Sequence, residues 1–234
     1  MGQPVQVRFL LAAPDENNAL MGILFLFFCF SYIQSKLYRY IIEIHFEIIM
    51  KKLVMSENEI QEVCKYLGAK ISKDLAKESK PPLILCVLKG AVNFTADLTK
   101  NITIPVFMDY IQISSYSGRK STGDIKLIHN LRFDIKDRVV LIVEDVIDTG
   151  VSMEYLIHHL LANYQPKKVL VCAMFDKINA RKASVRVDYA GKILTENDFL
   201  IGYGLDYNEF DRNIPYVYIP TEEEIARFDE LSKK

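Results

Sequence analysis

The chain has 234 residues, with 29 basic and 30 acidic side chains and a formal net charge of −1. That length suits one good-sized α/β domain, or one with a small appendage, and the near-neutral balance argues against nonspecific nucleic-acid binding. Cys29, Cys64, Cys86 and Cys172 form no C-x-x-C pair, so a reduced, cytosolic setting is expected. Cys86 and Cys172 lie inside apolar runs and read as small buried hydrophobes. His158 and His159 are adjacent and cannot share a helix face as a metal-binding pair would, so they read as partly solvated helix residues.

Residues 1–49 differ in character from the rest of the chain. Leu20–Phe30 (LMGILFLFFCF) is an apolar run, well short of the roughly 20 residues a membrane span needs. Arg8 is offset by Asp15 and Glu16, and no A-x-A site comes after Phe30, so a secretory signal fits poorly. Three readings stay open: a membrane anchor, a partner-binding arm, or upstream sequence joined by a misassigned start. Met50-Lys51-Lys52-Leu53 looks like a natural beginning. The chain is therefore divided into an extension, 1–49, and a domain, 50–234.

From Met50 the signals agree. Ser56 and Glu59 make a capping box, and the stripe Ile60, Val63, Cys64, Leu67, Ile71, Leu75 predicts an amphipathic helix over 57–78. Pro81-Pro82 break it. Leu83–Leu88 reads as a buried strand ending at Lys89-Gly90, with a helix from Ala91 to Leu98. Ile104–Ile113 is a further strand, with Pro105 near its start, where a missing N–H is tolerable. Ser114–Asp124 is polar and rich in Ser and Gly, the composition of a mobile surface loop. Ile125–Ile128 returns as its paired strand.

Val139–Val143 is the centre of the pattern. Five aliphatic residues without polar alternation read as a strand buried on both faces, as in a parallel sheet. Glu144 and Asp145 end the run, Asp148 comes next, and Thr149-Gly150-Val151-Ser152 leads into a helix carrying Met153, Leu156, Ile157, Leu160 and Leu161. Such a loop sits at the carboxyl end of a strand, where open α/β sheets bind ligands. Its N–H groups and hydroxyls suit a phosphate, and Gly150 permits the tight turn. The bland alternative is an ordinary turn capped by Asp148 or Ser152. Three acids beside a phosphate cradle need work of their own: gripping sugar hydroxyls, coordinating Mg²⁺ or moving a proton.

Beyond this unit, Val169–Phe175 predicts another buried strand, ending at Asp176-Lys177. Arg181–Arg186 is basic and expected at the surface. Phe199-Leu200-Ile201 reads as a short strand running into Gly202, Gly204 and Asp206, with Arg212 just beyond. Tyr216–Ile219 is the last strand, and Thr221 with Glu224 forms a capping box that opens a C-terminal helix.

Val143-Glu144-Asp145-Val146-Ile147-Asp148-Thr149-Gly150-Val151-Ser152 resembles the phosphoribosyl pyrophosphate (PRPP) signature of the type I phosphoribosyltransferases. The Leu88-Lys89-Gly90 turn resembles one the family uses, and the strand end at Lys177 and the run GYGLDYNE (202–209) resemble the hypoxanthine-type members more closely than the adenine, orotate or uracil ones. The resemblance spans about residues 50–225 and rests on several separated motifs in the same order. It implies an α/β type I phosphoribosyltransferase fold: a central, mostly parallel sheet flanked by helices, with a small hood from the helix near residue 60 and segments after 177. The implied reaction moves ribose 5-phosphate from PRPP to N9 of hypoxanthine or guanine and releases pyrophosphate.

The resemblance also implies the site. Asp148 is the implied catalytic base at purine N7. Lys89, Gly90, Glu144, Asp145, Asp148, Thr149, Gly150, Val151, Ser152 and Arg212 bind PRPP; Lys177, Phe199, Leu200 and Asp206 bind the purine. Glu144, Asp145 and Asp206 bind Mg²⁺, and Ser115-Tyr116 form the tip of a lid that excludes water. A cytoplasmic homo-oligomer, a dimer or tetramer, is expected, with neither nucleic acid nor membrane as partner. Two rivals share the fold: an RNA-binding attenuation regulator, which would lack the acid at 148, and a xanthine-preferring enzyme.

Overall fold

The computed structural model describes residues 52–115, 125–127 and 131–233. In chain order these form β1 (Lys52–Met55), α1 (Glu57–Leu75), β2 (Leu83–Leu88), α2 (Val92–Lys100), β3 (Phe107–Ser115) and β4 (Ile125–Leu127). Then come β5 (Val139–Ile147), α3 (Val151–Tyr164), β6 (Lys168–Lys177), β7 (Tyr189–Leu194), β8 (Val217–Ile219) and α4 (Glu222–Leu231). The extension 1–49 and Tyr116 lie outside the described residues. No helix among the described residues is long and apolar enough to cross a membrane.

Six strands form one sheet in the order β4-β3-β2-β5-β6-β7. All neighbours pair in parallel except β4, which returns antiparallel to β3. The first parallel strand, β2, lies inside the sheet; β3 takes one side of it and β5 the other. The winding therefore reverses between β2 and β5, and ligands bind outside the carboxyl ends of the strands at such a reversal.

The unbroken apolar runs explain why β2 and β5 are central. In β5, alternate residues feed opposite layers. Val139, Leu141 and Val143 face a core built with Ile60, Cys64, Leu67 and Ile71 of α1 and Phe94 and Leu98 of α2. Val140 and Ile142 face Met153, Leu156 and Leu160 of α3. Each large aliphatic side chain buried this way contributes about 1.5–3 kcal/mol. Cys64, Cys86 and Cys172 are buried thiols within the sheet and its covering layer.

Both predicted capping boxes form, Ser56 with Glu59 and Thr221 with Glu224. Helix α1 stops at Leu75 rather than at residue 78, in a turn closed by the Glu78 N–H on the Leu75 carbonyl (3.1 Å). It is also not part of a hood. The stripe Ile60–Leu75 packs on the main sheet, because a stripe that wide needs a sheet face to cover. The hood is instead a two-stranded antiparallel sheet, β1 with β8, over a small core of Ile201, Tyr218 and Phe228. Phe199–Ile201 is not a strand: only Ile201 makes a bridge, to Tyr218, since positive φ at Gly202, Tyr203 and Gly204 bends the chain away at once. Strands β1 and β7 show no clear alternation in sequence, so periodicity does not predict them.

Candidate active site

The carboxyl ends of β2, β5 and β6 and the 202–212 loop assemble the predicted residues. Strand β5 continues through Glu144 and Asp145 to Ile147, so these two acids belong to the sheet and only Asp148 stands in the loop. Burial, with the Asp145 charge next to it, holds the Glu144 carboxyl well above the ordinary carboxylate range.

Gly90 lies just past β2 and packs directly on Asp145. A Cβ at position 90 would run into the Asp145 carboxylate. The absent side chain is thus what lets the β2 turn and the β5 acids share one crevice.

The 148–152 loop, the predicted phosphate cradle, turns at Gly150 with φ +79°, a conformation that favours glycine. Gly150 is the N-cap of α3, and no side chain caps that helix. The alternative of an ordinary cap at Asp148 or Ser152 is therefore not what the loop shows. Val151 and Ser152 stand at the exposed start of α3. The Thr149 hydroxyl oxygen accepts from the Val151 N–H (3.5 Å), and the Thr149 carbonyl accepts from Lys182 N–H (2.9 Å) and Ala183 N–H (3.1 Å).

Those last two contacts reveal residues that sequence reasoning missed. Arg181 was expected at the surface within a basic run, yet it turns inward and ion-pairs with Asp176, the two side chains only 17% and 13% exposed. A Cβ on Gly150 would stand 3.0 Å from Arg181 Cδ and 3.1 Å from its Nη1. Arg181 thus backs the Gly150 loop and the end of β6 together. An arginine inside a run of surface cations carries no local signal of this.

Next to Asp176, Lys177 is almost wholly buried, with 7% of its side chain exposed, and its Nζ lies 3.4 Å from Asp148 Oδ2. Asp148 is 55% exposed. A buried donor and an open acceptor therefore stand side by side.

The 202–212 loop faces the β2 turn. A Cβ on Gly204 would strike the Gly90 carbonyl. Arg212 pairs with Asp206 (2.8 Å) and Glu209 (3.2 Å) and donates to the Gly204 carbonyl (2.7 Å). Lys89 reaches the same Glu209 at 3.1 Å. The two cations thus meet on one carboxylate, whose pKa they hold below the ordinary range through hydrogen bonds, Arg212 the larger influence. Phe199 is 49% exposed, and Tyr207 meets it edge to face at a centroid distance of 5.8 Å. Leu200 is buried beside it. Of the lid pair, Ser115 ends β3 and Tyr116 is not described.

Among the described residues no three His, Cys, Asp or Glu side chains cluster as a cage. Mg²⁺ fits such a site when one or two carboxylates share it with waters and substrate phosphates. Glu144 and Asp145 are adjacent acids, the first with its pKa raised by burial and by the Asp145 charge, and a divalent cation would relieve their repulsion.

Residues 56–208 match the phosphoribosyl transferase domain family. The hypoxanthine-guanine phosphoribosyltransferase of Staphylococcus aureus is 37% identical over 169 residues, 72% of this chain and 92% of that protein. A crystal structure of a Staphylococcus aureus hypoxanthine phosphoribosyltransferase superposes with a TM-score of 0.69 at 36% identity, covering 74% of this chain and 93% of that one. A hypoxanthine-guanine phosphoribosyltransferase from Bacillus anthracis gives 0.68 at 33% identity, over 73% and 99%. With the switch-point crevice and the Asp148-Thr149-Gly150 loop in place, the chain belongs to the phosphoribosyltransferase family, on its hypoxanthine-guanine branch.

Proposed function

We propose that this enzyme transfers ribose 5-phosphate from PRPP to N9 of hypoxanthine or guanine, giving IMP or GMP and pyrophosphate. The observation that carries the reading is the Lys177–Asp148 pair, 3.4 Å apart. A 6-oxopurine presents an acceptor, O6, next to an N–H at N7. The buried ammonium donates to O6 and the exposed carboxylate accepts from N7. Adenine would set its amino group against the Lys177 donor, and a site with an unmatched polar pair rejects such a base strongly.

In the reaction the bond from C1′ to the pyrophosphate oxygen breaks and the bond from C1′ to N9 forms, while Asp148 takes the N7 proton. The ribose becomes cationic and the leaving group anionic, so the residues act by placing charge. The Thr149–Ser152 turn holds the 5-phosphate on backbone N–H groups. Glu144 and Asp145 take the ribose hydroxyls. Lys89 and Arg212 bind the pyrophosphate, which displaces Glu209 from both, and arginine suits a bidentate oxyanion. Phe199 supplies the stacking face and Leu200 the backbone edge of the base site. Ser115, at the end of β3, is assigned with Tyr116, which lies outside the described residues, to the lid that excludes water from the sugar cation.

Glu144, Asp145 and Asp206 would hold Mg²⁺, which when bound neutralises pyrophosphate charge. The protein is read as a cytoplasmic homo-oligomer, its catalytic domain beginning at residue 50.

The test is turnover by the full-length protein with PRPP, Mg²⁺ and each of hypoxanthine, guanine, xanthine and adenine. IMP and GMP with stoichiometric pyrophosphate are expected, and no AMP. Efficient use of adenine, or failure with both 6-oxopurines, would overturn the reading. Lys177→Gln should lower discrimination against adenine more than it weakens PRPP.

A further inference from the structure

Phe199 is half-exposed and carries no hydrogen-bonding group, so something else must fix the tilt of its ring. Tyr207 does so from the side, edge to face at 5.8 Å and 90°. Tyr207 is in turn held from the C-terminal helix. Its hydroxyl donates to Asp229 Oδ1 (3.1 Å), and the next residue, Asn208, donates to the same oxygen (2.9 Å). The hydrogen bond to the Asp229 carboxylate raises the Tyr207 phenol above its ordinary value. Phe228, the neighbour of Asp229 on α4, stacks on Phe210 at 5.1 Å and leans on Tyr207 at 6.4 Å.

The segment gripped this way would not hold its shape unaided. Asn208, Glu209 and Asp211 all have positive φ, between 51° and 71°, a conformation that L residues keep only when their surroundings impose it. The surroundings that impose it here are Asp229 and Phe228 on one side, and on the other the Tyr218 hydroxyl, which donates to Asp211.

We infer that Asp229 is a positioning residue for the purine: through Tyr207 it sets the ring of Phe199, and α4 is thereby part of the base-recognition apparatus. The inference rests on the reading of Phe199 as the stacking face. Asp229 touches neither substrate, so its loss should show in base affinity and not in the chemical step.

The experiment is steady-state kinetics of the full chain with hypoxanthine and PRPP varied separately. Asp229→Ala should raise KM for hypoxanthine about three- to tenfold, the scale of one or two lost hydrogen bonds, with kcat and the KM for PRPP within about twofold of wild type on the same scale. Tyr207→Phe, which keeps the ring and removes the hydroxyl, should reproduce that split. The double variant should be no worse than the poorer single one. Asp229→Asn keeps an accepting oxygen and should restore near-normal KM. An unchanged base KM in Asp229→Ala, equal rises in both KM values, or an additive double variant would overturn the role of Asp229. Wild-type protein that makes neither IMP nor GMP would instead overturn the functional reading beneath it.

Discussion

Lys177 and Asp148 form an ion pair across 3.4 Å in which one member is sealed from water and the other is not. Asp148 is thus open to an incoming base while its partner is fixed. Asp148→Asn keeps the size and removes the proton acceptor. We expect kcat to fall by about 10²–10⁴-fold, the usual contribution of general-base assistance, with PRPP affinity changed far less because the proposed phosphate contacts are made by backbone groups. Pre-steady-state turnover and PRPP titration check this. Intact kcat with weakened PRPP binding would make Asp148 a structural residue.

Arg181 bridges the end of β6 to the phosphate loop. Arg181→Gln leaves the Asp176 carboxylate, 13% exposed, without its cation. Removing one member of a buried pair destabilises by about 3 kcal/mol or more, and the loop behind Gly150 loses its backing. Urea unfolding should therefore report the loss and the KM for PRPP should rise. Adding Asp176→Asn should recover part of the stability. A variant as stable as wild type would show that the pair carries little.

The alkaline limb of stability should depend on Tyr203. Burial is the main cause of its raised phenol, with Cys64 and the Asp97 hydrogen bond (2.8 Å) adding to it, all above the ordinary value of 10.0. A folded-state pKa raised this way gives stability that is complete below about pH 10 and is lost as pH climbs past it. Tyr203→Phe should flatten the fall in unfolding free energy above that pH. The same slope in both proteins would assign the limb to other groups.

A chain starting at Met50 should fold and turn over normally. It keeps β1, which completes the hood with β8, and it contains all of the matched region from residue 56. Thermal melting and kcat/KM are the measurements. Loss of either would make residues 1–49 part of the enzyme, and membrane fractionation of the full chain would favour an anchor.

What could be read in the sequence was local. The five-residue apolar run of β5 and the Asp148–Ser152 turn show themselves because periodicity and turn chemistry act over a few neighbours. Lys89, Lys177 and Arg212 were legible only by resemblance, since a charged residue at a strand end looks like any solvated one. Arg181, Glu209 and Asp229 were missed because their partners lie on other elements: Lys89 for Glu209, and Tyr207 and Asn208 for Asp229. Gly150 illustrates both sides. Its turn is readable, but its closeness to Arg181 depends on how β6 leaves the sheet. The apolar Phe199–Ile201 stretch misled in the other direction, its strand character ended by the bend at Gly202.

The pairing of Lys52 with Ile219 has a bearing on when the enzyme becomes competent during synthesis. Strands β2, β5 and β6, with the phosphate loop, can come together while the C-terminal segment is still being added. The hood cannot, because its first strand waits for a partner at the far end of the chain, and closing so long a loop is entropically costly before contacts reward it. A nascent chain halted before Val217 would carry the cradle for the sugar phosphate without a finished platform for the base.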